Sequence, residues 1–311
     1  MTLALCEKTD AISTAPQPRW EWVPCNLCGR DDNDIYHRER LPYFNRMLDF
    51  TIVRCRSCRL VYTNPRLADH NATYLLHNLD HPEQLEKHAR AKKIVFDSAL
   101  KKIISLQKPF TDNAKPRLLD LGSGSGHFLA HARRRGFDVR GVEPAPAPAQ
   151  YARENLNVPV INQDLNQVDF PPECFDVITA WDVLEHLGDP RAALDRSLRW
   201  LRPGGIFAAR FPAPAWQKIK GLIFHRLLAG SHPAFAPTKH LYFFSPRTFA
   251  RLARLVGLKV LLTRTTAPEP NTDNFSLNCL KFLSHAALRC CETFSRHPLG
   301  NLEVYCRKVT T

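Results

Sequence analysis

A nine-residue run, Leu118-Leu-Asp120-Leu-Gly122-Ser-Gly124-Ser-Gly126, constrains the fold of this 311-residue chain more than any other feature. An apolar segment ends in an acid, and three glycines at alternate positions lead into a helical pattern at 126–135. Glycine reaches positive φ and lets the backbone come close to a ligand. Such a loop joins a buried strand to a helix whose first turn faces the ligand. The pattern then alternates. Residues 117–121, 139–142, 160–161, 175–180 and 205–211 read as strands, and 148–155 and 191–201 as helices. That order predicts βαβ units and a parallel sheet. Ser245-Pro246 opens another helix, with Pro at its first position and Phe249, Leu252, Ala253 and Val256 on one face. Residues 258–262 and 302–309 read as the last strands.

The loop's chemistry differs from that of a dinucleotide fingerprint, G-x-G-x-x-G. Here the glycines are G-x-G-x-G and Asp120 precedes them. A carboxylate there repels phosphate and suits an ammonium group. Glu143 ends the second strand, where an acid can accept hydrogen bonds from ribose hydroxyls. A nucleoside with an amino-acid tail satisfies both acids, which describes S-adenosylmethionine (SAM).

Four blocks in order resemble the class I SAM-dependent methyltransferases: Asp120-Leu-Gly122-Ser-Gly124-Ser-Gly126, Val142-Glu143-Pro144, the run from Phe175 to Trp181-Asp182-Val-Leu-Glu185-His186, and Leu201-Arg-Pro-Gly-Gly205. The resemblance covers about 117–264 and the closing strand at 302–309. It implies a Rossmann-like, seven-stranded α/β sheet. It places Asp120 and Gly122 at the methionine end of SAM, Gly124 and Gly126 in the same cofactor-binding loop, and Glu143 at the ribose. Asp164 would sit at the adenine amine, or else be a solvated loop acid. Trp181 or Asp182 would line the cleft.

Upstream, Cys25-Asn-Leu-Cys28 and Cys55-Arg-Ser-Cys58 are two C-x2-C knuckles with 26 residues between them. Two knuckles complete a tetrahedral four-thiolate zinc site, and a hairpin between them accommodates the gap. The segment resembles the zinc-binding leader of some methyltransferases that act on sugars or other small metabolites. A closed four-sulfur site implies structural zinc. Cys290 and Cys291 read as helix packing residues. The expected organisation is a loose tail at 1–19, a zinc-ribbon-like module at 20–66, a helical linker at 67–112 and a methyltransferase domain at 113–311, interrupted by a cap at 213–238.

Two histidines are candidates for the base that an alcohol or phenol acceptor needs. His186 follows Asp182 and Glu185 on one turn after the fourth strand. It could be a base, or orient its loop, or join Asp182 and Glu185 around a divalent ion; ubiquinone-type O-methyltransferases carry a similar acid-x-x-Glu-His block. His240 stands before Tyr242 and the Ser245-Pro246 helix start, on the substrate side in related enzymes. It could be the base, or bond to backbone between cap and core. Tyr242, Trp216, Phe224 and Phe235 are candidates to line or cover the acceptor pocket.

Charge bears on the partner. The chain has 43 Lys+Arg against 30 Asp+Glu, a formal net charge of +13. Residues 213–311 hold 14 basic and 4 acidic side chains, whereas 113–212 hold 12 of each. The surplus therefore falls on the acceptor side, favouring an anionic small-molecule substrate or a solvated basic face. A nucleic-acid methyltransferase is disfavoured, since the fourth strand ends in Trp181-Asp182 rather than an Asp/Asn-Pro-Pro-aromatic block. A non-catalytic SAM-binding module is disfavoured by the intact acids and glycines. No apolar run is long enough for a transmembrane helix. With no signal peptide read at the start, ten cysteines fit a reducing, cytoplasmic setting.

Overall fold

The computed structural model describes residues 17–44, 46–69, 82–107, 115–218, 234–266 and 300–309. Of the expected helical linker at 67–112, residues 70–81 and 108–112 lie outside the described residues, as do Phe224 of the cap and Cys290 and Cys291.

The glycine run does what its pattern demands. Strand β6 (Arg117–Leu121) is buried except at its first residue, and it feeds through Gly122, Gly124 and Gly126, all at positive φ, into a helix at His127–Arg134. A side chain at Gly126 would meet Ala152 and Val158 at 2.7 Å. No other residue could bring the helix start this close to its neighbour.

Parallel neighbours follow on both sides of β6. They are β7 (Asp138–Val142), β8 (Val160–Ile161), β9 (Phe175–Trp181) and β10 (Leu201–Pro212). With β12 (Leu258–Thr265) and β13 (Asn301–Lys308) they form one seven-stranded sheet in the order β12-β13-β10-β9-β6-β7-β8. Only β13 runs antiparallel to its neighbours. This is the predicted α/β architecture. Strand β9 is buried along its whole length, as a central parallel strand covered on both faces must be.

The helices begin where sequence signals put them. In chain order, α1 is Pro82–Leu106, α2 His127–Arg134, α3 Pro146–Asn155, α4 Pro190–Trp200 and α5 Pro246–Leu255. The Asp189 side chain caps α4 by accepting from the Ala192 N–H at 2.9 Å. Ser245 and Thr248 form a reciprocal capping box at α5. On α1, Phe96, Ala99, Leu100 and Ile103 are buried, and Phe96 meets Phe128 of α2 edge-on at 5.4 Å.

The cysteine segment is built on a long hairpin, β2 (Asn33–Tyr43) and β3 (Arg46–Cys55), extended by β4 (Val61–Thr63). Short strands β1 (Trp20–Glu21) and β5 (Arg66–Leu67) pair beside it. The predicted hairpin between the knuckles is present. The four-stranded sheet ends on β11 (Tyr242–Phe243), which arrives from the far side of the chain to pair with β4. The N-terminal strands therefore share a sheet with β11 and a hydrophobic core with the seven-stranded sheet. Leu27, Cys55 and Tyr62 pack in the same cluster as Leu119, Ile178 and Phe207.

Candidate active site

At the carboxyl end of β6, Asp120 is 2% exposed and accepts from the Thr179 hydroxyl at 2.6 Å. Burial, together with the nearby Glu143 charge, pushes its carboxyl up to about 8 against that hydrogen bond. Glu143 is equally buried. One of its oxygens accepts from Gly124 N–H (2.8 Å), the other from Ala145 N–H (2.9 Å), and burial raises its carboxyl too. A Cβ on Gly124 would meet nothing within 4 Å, whereas one on Gly122 would lie 2.7 Å from Val183. Two acids that disfavour their own charge, beside a glycine with open space over it, form a cradle that a cationic ammonium group fits. Those residues could hold SAM.

Asp164 stands after β8 and accepts from Asn166 N–H at 2.8 Å within its own loop. The Trp181 ring lies in the core, edge-on to Phe128 at 5.2 Å, and its indole N–H has no partner among the described residues. Asp182 has a positive φ of 57° at the end of β9. It is bound by Arg210 through Nε at 2.8 Å and also through Nη2, and by Lys92 at 3.1 Å. Burial works against its charge, yet the two cations hold its carboxyl below the usual range.

Because Gly122 packs on Val183, the loop after β9 lies against the cofactor loop. It carries Glu185 and His186. The His186 Nδ1 lies 2.8 Å from the Lys239 carbonyl, and the His240 Nδ1 lies 3.1 Å from the Phe235 carbonyl. A nitrogen facing a carbonyl must carry the proton, which leaves the basic lone pair on Nε2 in both rings. The two rings are 4.9 Å apart. Burial holds His186 below its ordinary pKa, so it is neutral at pH 7. Glu185 is buried and its Oε2 has no partner among the described residues; burial and the Asp182 charge raise its carboxyl well above normal. The ion-binding group the geometry assembles is Glu185, His186 and His240, with ligand atoms within 4.8 Å of one another. In this arrangement His240 takes the place expected for Asp182, which Arg210 and Lys92 occupy.

The thiols of Cys25, Cys28, Cys55 and Cys58 also converge within 4.8 Å. Cys25 and Cys58 sulfurs are 3.4 Å apart, and those of Cys28 and Cys55 are 3.5 Å apart. Each knuckle is a tight turn: Gly29 N–H donates to the Cys25 carbonyl at 2.7 Å and Arg59 N–H to the Cys55 carbonyl at 2.9 Å. Four sulfurs at this spacing fit a tetrahedral zinc ion.

Residues 72–263 match the family model for a methyltransferase domain. The chain belongs to the methyltransferase-domain family. This methyltransferase is 31% identical over 195 residues to a ubiquinone biosynthesis O-methyltransferase of Paramagnetospirillum magneticum, covering 57% of this chain and 74% of that one. It is 27% identical over 175 residues to the same enzyme of Photorhabdus laumondii, covering 52% and 70%. Among solved structures, it resembles the plantazolicin methyltransferase BpumL in complex with SAH, with a TM-score of 0.50 and 15% identity over 78% of this chain and 96% of that one. The methyltransferase is SAM-dependent, and the fold is that of class I enzymes.

Several residues around the methyltransferase's cleft escape sequence reading. Arg210, a charged residue inside a buried strand, left a visible signal. Lys92 left none, because a lysine on an exposed helix looks ordinary. Arg66 is also buried: it donates to Glu21 at 2.6 Å, to the Gly188 carbonyl at 2.8 Å and to the Tyr242 hydroxyl at 3.2 Å. Tyr242, expected in the acceptor pocket, is buried between Tyr62 and Phe244 and donates to the Gly188 carbonyl. Of the described cap aromatics, Phe235 is fully buried and Trp216 packs partly against the core.

Proposed function

We propose that the protein transfers the SAM methyl group to a hydroxyl of a small-molecule acceptor, such as a sugar, a nucleotide sugar or another hydroxylated metabolite. The observation that carries this reading is the His186–His240 pair, 4.9 Å apart, with His186 on the loop whose Val183 packs against Gly122. In this reading Asp120 takes the ammonium of SAM, and Glu143 the ribose. Asp164 borders the adenine, and Asp182, fixed by Arg210 and Lys92, lines the cleft. The SAM methyl group is the electrophile. His240, through Nε2, would accept the acceptor's hydroxyl proton as the oxygen takes the methyl group and the sulfonium–methyl bond breaks, with S-adenosylhomocysteine as the leaving group, and His186 stands beside it. Positioning supplies the rest of the rate. The relatives named for ubiquinone biosynthesis support O-methylation over N- or C-methylation.

Zinc in the four-cysteine site belongs to this proposal as a structural ion. The surplus of basic side chains in 213–311 favours an acceptor that carries negative charge.

A second reading rests on the grouping of Glu185, His186 and His240. Together they would hold a divalent cation, which supplies Lewis acidity to a vicinal diol acceptor. Labelled SAM incubated with pooled catechols, nucleotide sugars and RNA, with and without chelator, tests both readings. Label in a small molecule regardless of chelator favours the base. Loss of label on chelation, restored by magnesium, favours the cation. Label confined to RNA overturns both.

A further inference from the structure

The two histidines are oriented by backbone carbonyls, and the N-terminal strands hold the backbone that carries those carbonyls. Glu39, on β2, accepts from two successive amides, Ala234 N–H and Phe235 N–H, the latter at 3.1 Å. Phe235 in turn offers its carbonyl to His240 Nδ1 at 3.1 Å. From the other side the Thr63 hydroxyl donates to the His240 carbonyl at 3.1 Å, and Thr63 N–H donates to the Leu241 carbonyl at 2.9 Å. The Phe235 ring is fixed as well, 5.1 Å from the His37 ring and 4.9 Å from Phe243. One carboxylate that takes two consecutive N–H groups fixes two peptide planes at once, through charge-assisted hydrogen bonds. Residues 234–241 lie in no β-ladder: a turn closes on the Ala236 carbonyl, which accepts from Lys239 and His240 N–H at 2.9 Å, and Leu241 N–H donates to the Glu185 carbonyl at 2.7 Å, while Glu39 fixes the two peptide planes that lead into the Phe235 carbonyl.

We propose that Glu39 is a positioning residue for methyl transfer: by binding the Ala234 and Phe235 amides it sets the carbonyl that orients the His240 ring. The role rests on the reading of His240 as the base, and it makes the hairpin between the two cysteine knuckles a working part of the acceptor site. Displacing a reacting group by ~1 Å can cost ~100-fold in rate, so a loose His240 would be felt in kcat.

The test uses the full-length, zinc-loaded, SAM-saturated protein with 15N-labelled histidine. The His240 ring resonances are assigned by their loss in His240→Ala. Glu39→Gln puts an N–H donor where an acceptor is needed. The expected result is a shift or broadening of the His240 ring nitrogens, with zinc content and SAM Kd within about twofold of the parent protein. On a catechol probe, 3,4-dihydroxybenzoate, kcat should fall ~10–100-fold with little change in KM. Unchanged His240 resonances overturn the proposal. If Glu39→Gln loses zinc or unfolds, Glu39→Asp keeps the charge and withdraws the carboxylate by one methylene from the Ala234 and Phe235 amides: a shift of the His240 ring nitrogens then supports the proposal and its absence overturns it. If the resonances move but His240→Ala keeps parental turnover of the probe, Glu39 still orients the His240 ring, but its role in methyl transfer falls with the base assignment.

Discussion

The Thr179 hydroxyl donates to Asp120 Oδ1 at 2.6 Å, across the parallel pair β6–β9, where both residues are closed to solvent. Asp120 ionises ordinarily near ~3.9 and here at about 8. A carboxyl raised in the folded state contributes stability that is present at low pH and lost as pH rises through about 8. The ligand-free protein should therefore be more stable near pH 6 than near pH 9. SAM binding, which presents an ammonium to Asp120, should release about one proton at pH 7, with affinity rising up to ~10-fold per pH unit below 8. Calorimetry at pH 7 in phosphate and in Tris checks this; equal apparent enthalpies in the two buffers would sink it. Thr179→Val should weaken SAM binding at pH 7 by about 10-fold.

Two glycines of the cradle should respond differently to a methyl group. Gly126→Ala places Cβ 2.7 Å from Ala152 and Val158 at a φ of 75°. It should cost about 2–4 kcal/mol of stability. Gly124→Ala meets nothing within 4 Å, so its stability cost should be nearer ~1 kcal/mol, but its methyl group would stand on the ligand side. Thermal melts alongside SAM titrations separate the two. Equal melting points would contradict the packing argument.

Arg66 ties Glu21, Gly188 and Tyr242 together, with Glu21 at the solvent side. Arg66→Met keeps the volume and deletes the donors, leaving the Gly188 carbonyl short of a partner. A loss of about 1–3 kcal/mol is expected, with SAM affinity unchanged, because no contact of Arg66 reaches the glycine cradle. Denaturant unfolding measures the first and calorimetry the second. Weakened SAM binding would show that the two ends of the cleft are coupled.

Cys55→Ser should abolish zinc uptake, read by elemental analysis, because serine does not replace a thiolate in a four-sulfur site. The melting temperature should fall too, since Cys55 lies in the same hydrophobic cluster as the central sheet. Full zinc retention would rule out the tetrahedral assignment.

The parts legible in the sequence were those with local periodicity or fixed spacing. Alternating apolar runs and helices gave the sheet, the glycines gave the turn into α2, and Ser245-Pro246 marked the start of α5. The two knuckles required a hairpin, which is present. What escaped depends on contacts between distant residues. Asp182 reads in sequence as a neighbour of Glu185 and His186, but at a φ of 57° its carboxylate meets Arg210 and Lys92 instead. Tyr242 reads as a pocket residue because it follows His240, yet strand pairing with Tyr62 carries it into the core. Glu39 gave no signal: an acid on a strand looks solvated until the chain 195 and 196 residues later lays two amides on it.

The pairing of β4 with β11 also has a consequence for the order of assembly. Residues 61–63 leave the ribosome about 180 residues before 242–243, so the strand that finishes the earliest sheet is among the last to be made. Until then the edge of β4 stays open to any passing strand. A nascent chain halted before Tyr242 should behave as an incomplete knuckle rather than a finished module, and the ion-binding segment matures only when translation has passed both histidines.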